Sequence, residues 1–236
     1  MLNEKISDVT PMADILKHLY SEYPKESVEL YRIANQMMKD FAAIENNYVA
    51  AIREVNTRLE ILSDEFQSLH QRNPIHTIKS RVKSSKSIVE KLWRRGYEIN
   101  KELAIEKIED IAGIRVICPY IEDIYTIQTL LLNQDDIELL CTKDYIKKPK
   151  DNGYRSLHLI ISVPVFFSDH KEMVKVEVQI RTIAMDFWAS LEHEIRYKTI
   201  EEFNIPSNVS DELKECAEII AEVDLRMQNI HNFVIE

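Results

Sequence analysis

Three segments of this 236-residue chain carry residue types that could do chemistry at a useful spacing. The first holds Arg81, Lys83, Lys86, Ser87 and Lys91. Lys83 and Lys86 fall at the start of an expected helix, where the macrodipole is already positive, and this is unfavourable unless an anion occupies the end. A phosphate held by backbone N–H groups, the Ser87 hydroxyl and the lysines resolves that conflict. Lys91, Arg94 and Arg95 lie nearer the helix C-terminus, where cations are welcome, so capping suffices to explain the last two. The segment signals a phosphate and does not identify a nucleotide.

The second segment, residues 174–181, alternates with period two. Val174, Val176, Val178 and Ile180 face one way, and Lys175, Glu177, Gln179 and Arg181 the other. An isolated edge strand with one wet face would look the same. The preceding expected strand also alternates, with Ser156, His158 and Ser162 set against Leu157, Leu159, Ile161 and Val163. Two such neighbours favour a polar groove. Glu177 and Asp110 are the carboxylates best placed to hold Mg²⁺ against a polyphosphate, although a loop carboxylate is an adequate reading of Asp110. The third segment runs from Lys147 to His158, where Pro149, Asn152 and Gly153 predict a turn. Tyr154 beside lysines offers a base a stacking surface, and a plain charged hairpin turn fits the same composition.

Charge is distributed to match. The chain carries −10 overall, which argues against a general affinity for nucleic acid or anionic membrane. Residues 79–95 nevertheless sum to +6 and residues 143–155 to +3. Compact basic islands in an acidic protein suit a small polyanion, while a solvated charged face is the usual fate of a charge run. The 45% hydrophobic and 30% charged content excludes wholesale disorder. No stretch approaches 18 apolar residues and no signal pattern opens the chain, so the expected location is cytoplasmic, with no membrane partner. Cys118, Cys141 and Cys216 are widely spaced, which fits buried thiols better than a disulfide framework or a zinc site.

The elements that must position these residues follow from periodicity. The first 70 residues read as helix, with Asn46-Asn47 as a potential break. A helix over 85–95 stops at Gly96. A strand at 113–118 precedes a helix at 122–132, and strands follow at 137–145, 155–163 and 174–181. Residues 184–198 read as helix, with Trp188, His193 and Tyr197 assigned to packing. After Pro206, Ser210 is expected to cap a last helix whose apolar face holds Leu213, Ala217, Ile220, Val223, Met227 and Ile230. The expected class is α+β, a mixed sheet flanked by helices with helical N- and C-terminal regions. The expected division is 1–73, 74–204 and 205–236, the last serving oligomerisation.

Taken together, these motifs resemble the RelA/SpoT family of alarmone synthetases, specifically its small synthetase-only members, over about residues 48–200. Arg81, Lys83, Ser87 and Lys91 keep the family's ATP-phosphate spacing. Asp110-Ile-Ala-Gly-Ile-Arg115 looks like its metal-aspartate motif, Lys150-Asp-Asn152-Gly-Tyr154-Arg-Ser-Leu-His158 like its guanine-nucleotide loop, and Glu177-Val-Gln179-Ile-Arg181-Thr like its catalytic-glutamate strand. The resemblance implies a nucleotidyltransferase-type sheet and transfer of pyrophosphate from ATP to the 3′-hydroxyl of GDP or GTP. It implies that Arg81 and Arg115 sandwich adenine while Lys83, Ser87 and Lys91 hold the ATP phosphates. Lys143, Lys150, Asn152, Tyr154, His158 and Gln179 would hold the guanine nucleotide. Asp110 and Glu177 would bind Mg²⁺, with Glu177 also activating the hydroxyl. A homo-oligomer, a homotetramer by family analogy, is the implied assembly, with an allosteric nucleotide or RNA as a further partner. A toxin-type relative acting on the tRNA 3′ end or on adenosine nucleotides, and a catalytically silent nucleotide- or RNA-binding module, are the alternatives.

Overall fold

The alternating residues around Glu177 form the middle of a sheet, not its edge. A computed structural model of the chain describes residues 24–70, 72–200 and 207–235. In it, strands β1 (Thr77–Val82), β2 (Ala112–Cys118), β3 (Glu138–Asp144), β4 (Leu157–Phe166) and β5 (Lys171–Thr182) make one five-stranded sheet of order β1-β2-β5-β4-β3. β2 and β5 run parallel, and the other neighbours antiparallel. The helices are α1 (Pro24–Leu69), α2 (Ser85–Arg94), α3 (Lys101–Lys107), α4 (Ile121–Leu132), α5 (Ile183–Ile200) and α6 (Ser207–Ile235). This is the α+β class expected, a mixed sheet flanked by helices.

The core lies on the apolar face of the sheet. Ile114 and Val116 of β2, Val176, Val178 and Ile180 of β5, and Leu159 and Ile161 of β4 are buried with Ile44, Tyr48, Ala51, Val55 and Leu59 of α1 and Ile124, Ile127 and Leu131 of α4. Each valine, leucine or isoleucine among them contributes about 1.5–3 kcal/mol when fully withdrawn from water. α1 runs unbroken for 46 residues through Asn46-Asn47. Asn47 is accommodated because its amide donates to Glu172 Oε2 at 2.7 Å. The helical reading of residues 1–23 and the break at Pro206 lie outside the described residues.

Several local expectations are corrected. β1 and α3 were not anticipated. β1 is an edge strand of mostly polar residues, so its pairing with β2 defines it more than its own pattern does. α6 begins at Ser207, which leaves Ser210 inside the helix and not at its cap. Its inward face holds Ala217, Asp224 and Gln228, with Leu213 and Ile220 half-buried, while Val223, Met227 and Ile230 point outward, so only the first half of the expected apolar stripe docks. His193 is exposed and Trp188 is buried, donating from Nε1 to the Leu213 carbonyl at 2.8 Å.

Candidate active site

Residues paired directly across a ladder share a face, so the register assembles the polar surface. One transverse row crosses all five strands: Lys79, Arg115, Gln179, His158 and Lys143. The adjacent row contains Arg81, Gly113, Glu177, Ile160 and Cys141. Gly113 leaves the position beside Glu177 without a side chain. The sequence split among Arg81, Arg115, His158 and Glu177 is therefore closed by strand pairing alone.

At one end of this face, Asp110 accepts from Lys91 Nζ at 2.6 Å and pairs with Lys83 Nζ at 3.1 Å. Burial alone would raise the Asp110 carboxyl, but the two ammonium groups hold it below its ordinary value. Lys83 is fixed by its backbone, whose N–H donates to the Ile111 carbonyl at 2.8 Å. Ser84 caps α2 by accepting from the Ser87 N–H, and the Ser84 and Ser87 hydroxyls meet at 3.0 Å. The first turn of α2 contains no acid. That arrangement leaves a positive helix end beside two lysines.

At the centre, five side chains close a hydrogen-bonded cycle. Glu177 Oε1 meets His158 Nδ1 at 3.1 Å, and His158 Nε2 meets the Tyr154 hydroxyl at 2.8 Å. Arg181 Nη2 donates to the Tyr154 oxygen at 2.9 Å and to Gln179 Oε1 at 2.6 Å. Gln179 Nε2 returns to Glu177 Oε2 at 2.8 Å. Burial pushes the Glu177 carboxyl up, but the His158 and Gln179 hydrogen bonds leave it below the usual range, against the opposing charge of Asp110. Burial likewise raises the Tyr154 phenol, which stays a proton donor.

Asp186, in the first turn of α5, gathers cations from three strands. Its carboxylate lies 3.1 Å from Arg115 Nη1 and 3.5 Å from both Arg181 Nη1 and Lys79 Nζ. Sequence reasoning placed Arg181 on the polar face without a role, and it missed Asp186 altogether. The one available signal was an acid just inside the helix that follows the glutamate strand.

The loop between β3 and β4 carries the remaining candidates. Lys150 Nζ lies 4.6 Å from the Tyr145 ring centroid and 4.8 Å from that of Tyr154. Asn152 is engaged at both ends of its amide, donating to Glu192 Oε1 at 3.0 Å and accepting from the Tyr154 N–H at 3.2 Å. Gly153 takes φ +87°, and a Cβ there would come within 2.6 Å of the Ala217 Cβ on α6. Arg155 ties loop and helix together, donating to the carbonyls of Gly153 and Ala217. Lys143 is bound to Glu109, a partner the sequence did not suggest. Arg81 is exposed on the edge strand. The structure thus brings Asp110, Lys83 and Lys91 together, and separately Glu177, His158, Tyr154 and Gln179. The two groups are close enough for Asp110 to act on the charge of Glu177.

Two carboxylates form a hard-oxygen donor pair suited to a divalent cation whose remaining ligands are phosphates and water. Asp110 and Glu177 fit that requirement in kind, both being held ionised. Among the described residues no group of three or more His, Cys, Asp or Glu side chains gathers to hold a metal by itself.

Comparison with known proteins decides the family. Residues 80–202 match the family model described as the region found in RelA / SpoT proteins. The chain belongs to the RelA/SpoT family. Within that family it is 50% identical to the GTP pyrophosphokinase YwaC of Bacillus subtilis over 183 residues, 78% of this chain and 86% of the relative. The small alarmone synthetase 2 structure from Bacillus subtilis superposes with a TM-score of 0.74 at 48% identity, covering 82% of this chain and 98% of that one. The small alarmone synthetase 1 structure from the same organism, bound to its product pppGpp, gives 0.73 at 34% identity, with 80% and 95% covered. The matched RelA/SpoT region takes in the α2 lysines, Asp110, the 145–156 loop and the Glu177 strand.

Proposed function

We propose that this RelA/SpoT protein is a (p)ppGpp synthetase. It transfers the pyrophosphate of ATP to the ribose 3′-hydroxyl of GDP or GTP and releases AMP, in stringent-response signalling. The observation that carries the reading is the single sheet face on which Lys83, Lys91 and Asp110 stand beside the Glu177–His158–Tyr154 chain. In this reading Lys83, Ser87 and Lys91 bind the ATP phosphates, and Arg81 and Arg115 flank the adenine. Tyr154 stacks on guanine, with His158 and Gln179 beside it, while Lys143 and Lys150 neutralise the acceptor's phosphates. Asn152, whose amide is already committed, contributes by shaping the loop.

Glu177 accepts the proton of the 3′-hydroxyl. The freed oxygen attacks the β-phosphorus of ATP, the bond from that phosphorus to the α-phosphate oxygen breaks, and AMP leaves. Asp110 and Glu177 are the residues that would hold Mg²⁺, which supplies charge neutralisation on the transferring group. The rest is alignment, worth up to about 7–11 kcal/mol when reacting atoms are held in attack geometry.

The polypeptide division at 1–73, 74–204 and 205–236 belongs to the same proposal, as does a cytoplasmic location. Among the described residues no helix is long and apolar enough to cross a membrane. A homo-oligomer built on the outward faces of α5 and α6 completes it. The deciding experiment is chromatographic separation of products from labelled ATP mixed in turn with GDP, GTP, AMP or tRNA. Label in guanosine tetra- or pentaphosphate, with AMP released, is expected. Label in tRNA or adenosine nucleotides alone would replace the acceptor.

A further inference from the structure

Arg181 is only 2% exposed, lies near the C-terminal end of the central strand β5 and is flanked by a second guanidinium, Arg115. Its nearest carboxylate, Asp186, stands at 3.5 Å, and its Nε has no hydrogen-bond partner. A buried cation in so loose an ion pair lowers stability, and an apolar side chain of equal volume would be less costly. Packing therefore does not explain it. The two bonds from its Nη2 do.

We propose that Arg181 is a positioning residue that anchors the Tyr154 hydroxyl and the Gln179 amide and thereby orients Tyr154 and Glu177 for the acceptor nucleotide. A guanidinium has donors only, and an ionised carboxylate has acceptors only. Nη2 carries two hydrogens, and each starts one arm of the cycle. In the first arm the Tyr154 oxygen accepts from Arg181, so its own hydrogen turns to His158 Nε2. His158 must then carry its proton on Nδ1 and donate to Glu177 Oε1. In the second arm Gln179 Oε1 accepts from Arg181, which leaves its NH₂ to donate to Glu177 Oε2. Both arms end on the two oxygens of one carboxylate. The donor-only guanidinium and the acceptor-only carboxylate thus dictate the same proton directions from opposite ends of each arm, and Asp186 holds Arg181 in place. Without Arg181 the carboxylate still sets the imidazole tautomer and the amide orientation, but the Tyr154 oxygen and Gln179 Oε1 lose their shared donor and with it the anchor that fixes both side chains.

The consequence for catalysis rests on the synthetase reading, and the consequence for the side chains does not. Arg181→Met fills the volume and removes the donors. In protein carrying ¹⁵N in its glutamine side-chain amides and ¹³C in its tyrosine rings, wild type is expected to give single, sharp Gln179 and Tyr154 signals. Arg181→Met should broaden or split both. Arg181→Gln, which also removes the forked donors, serves if Arg181→Met does not fold. Unchanged Gln179 and Tyr154 signals in the folded variant overturn the proposal.

In the synthetase assay, Arg181→Met is expected to lower kcat by roughly ten- to a hundredfold and to raise the acceptor KM, with the ATP KM moving much less. Added to a Tyr154→Phe/Gln179→Leu background, it should cost little more, because both arms are already cut. A full additional loss there, or an equal change in both KM values, overturns the role in positioning. The expected change in the Gln179 and Tyr154 signals, without any guanosine product from wild type, would instead count against the synthetase reading alone.

Discussion

Lys91 Nζ lies 2.6 Å from Asp110 Oδ1, with Lys83 Nζ at 3.1 Å from Oδ2. The cations proposed for ATP phosphates are thus bound to the carboxylate proposed for the metal. Metal and nucleotide would separate them together, the cation taking Asp110 and the phosphates taking the lysines. Asp110→Asn keeps the shape and removes the charge. Turnover should fall about 10²-fold or more, as expected for losing a charge aimed at the reacting group. Binding of a non-hydrolysable ATP analogue in the presence of a chelator should instead tighten, because the lysines no longer have a competing anion. Calorimetry measures the second quantity, and weaker metal-free binding would show that the pair does not compete with phosphate.

Glu177 accepts on both oxygens, from His158 and from Gln179. Glu177→Gln therefore turns an NH₂ group toward a donor whichever way the new amide lies. One unsatisfied contact costs about 1–3 kcal/mol, so the melting temperature should drop by a few degrees while the fold survives. Turnover should fall by roughly 10²-fold or more, through loss of base and metal charge together. A purified variant working at the wild-type rate would remove Glu177 from the chemistry.

The polar faces of β4 and β5, the glycine stop at Gly96 and the turn at Gly153 could all be read from local pattern. The row from Lys79 to Lys143 could not, because register is decided by pairing between residues as far apart in sequence as Arg115 and Gln179. β1 was illegible for the same reason. α3 did carry a local sign, since Asn100 accepts from the Leu103 N–H as an N-cap, but seven residues are too short to show periodicity. Asp186 offered only a charge, and its three cationic partners come from three different strands. Asp224 and Gln228 misled the reading of α6 most. They look solvent-facing until Thr182 donates to the Asp224 carboxylate and the Glu122 N–H to Gln228 Oε1.

Tyr154 meets Tyr145 and His158 edge-on, with ring planes at 66° and 87°, and Lys150 is 4.8 Å from its centroid. A guanine stacking on that ring must share it with, or displace, the lysine. Tyr154→Ala should raise the acceptor KM by about ten- to a hundredfold, the equivalent of a 1–3 kcal/mol stack, and leave the ATP KM nearly unchanged. Steady-state kinetics with each substrate varied in turn gives both numbers. Equal effects on the two substrates would mean that the ring supports the fold and not one base.

Gly153 and Gly96 both adopt positive φ, +87° and +73°. An alanine at either costs about 1–2 kcal/mol for the left-handed backbone. They differ in surroundings. A methyl group on Gly96 would meet nothing within 4 Å, while one on Gly153 would strike Ala217 at 2.6 Å. Gly96→Ala should therefore lower stability slightly and leave the acceptor KM alone. Gly153→Ala should lower it more and raise the acceptor KM as well, since the loop must move off α6 and carries Tyr154 with it. Denaturant melts paired with kinetics separate the two effects, and identical behaviour of the variants would cut the link between α6 and the loop.

The C-terminal half of α6 turns polar residues inward and apolar residues out. Asp224 and Gln228 are buried against the core, whereas Met227, Ile230 and Phe233 are exposed, Phe233 at 80%. α5 repeats the pattern, with Ile183, Phe187, Leu191 and Ile195 exposed at every fourth position. Two outward apolar stripes on helices that pack on each other are more than single surface residues would explain, and a second copy of the chain is the occupant most consistent with closed symmetry. Deleting α6 would be a poor test, because Arg155, Trp188 and Glu122 all bond to it. Met227→Glu with Ile230→Glu alters only the outward face. Light scattering at micromolar concentration should give a multiple of the 27.7 kDa chain for wild type and a lower mass for the double variant, with little change in melting temperature. A wild type that runs at the mass of one chain would remove the oligomer, and the apolar faces would then need a different partner.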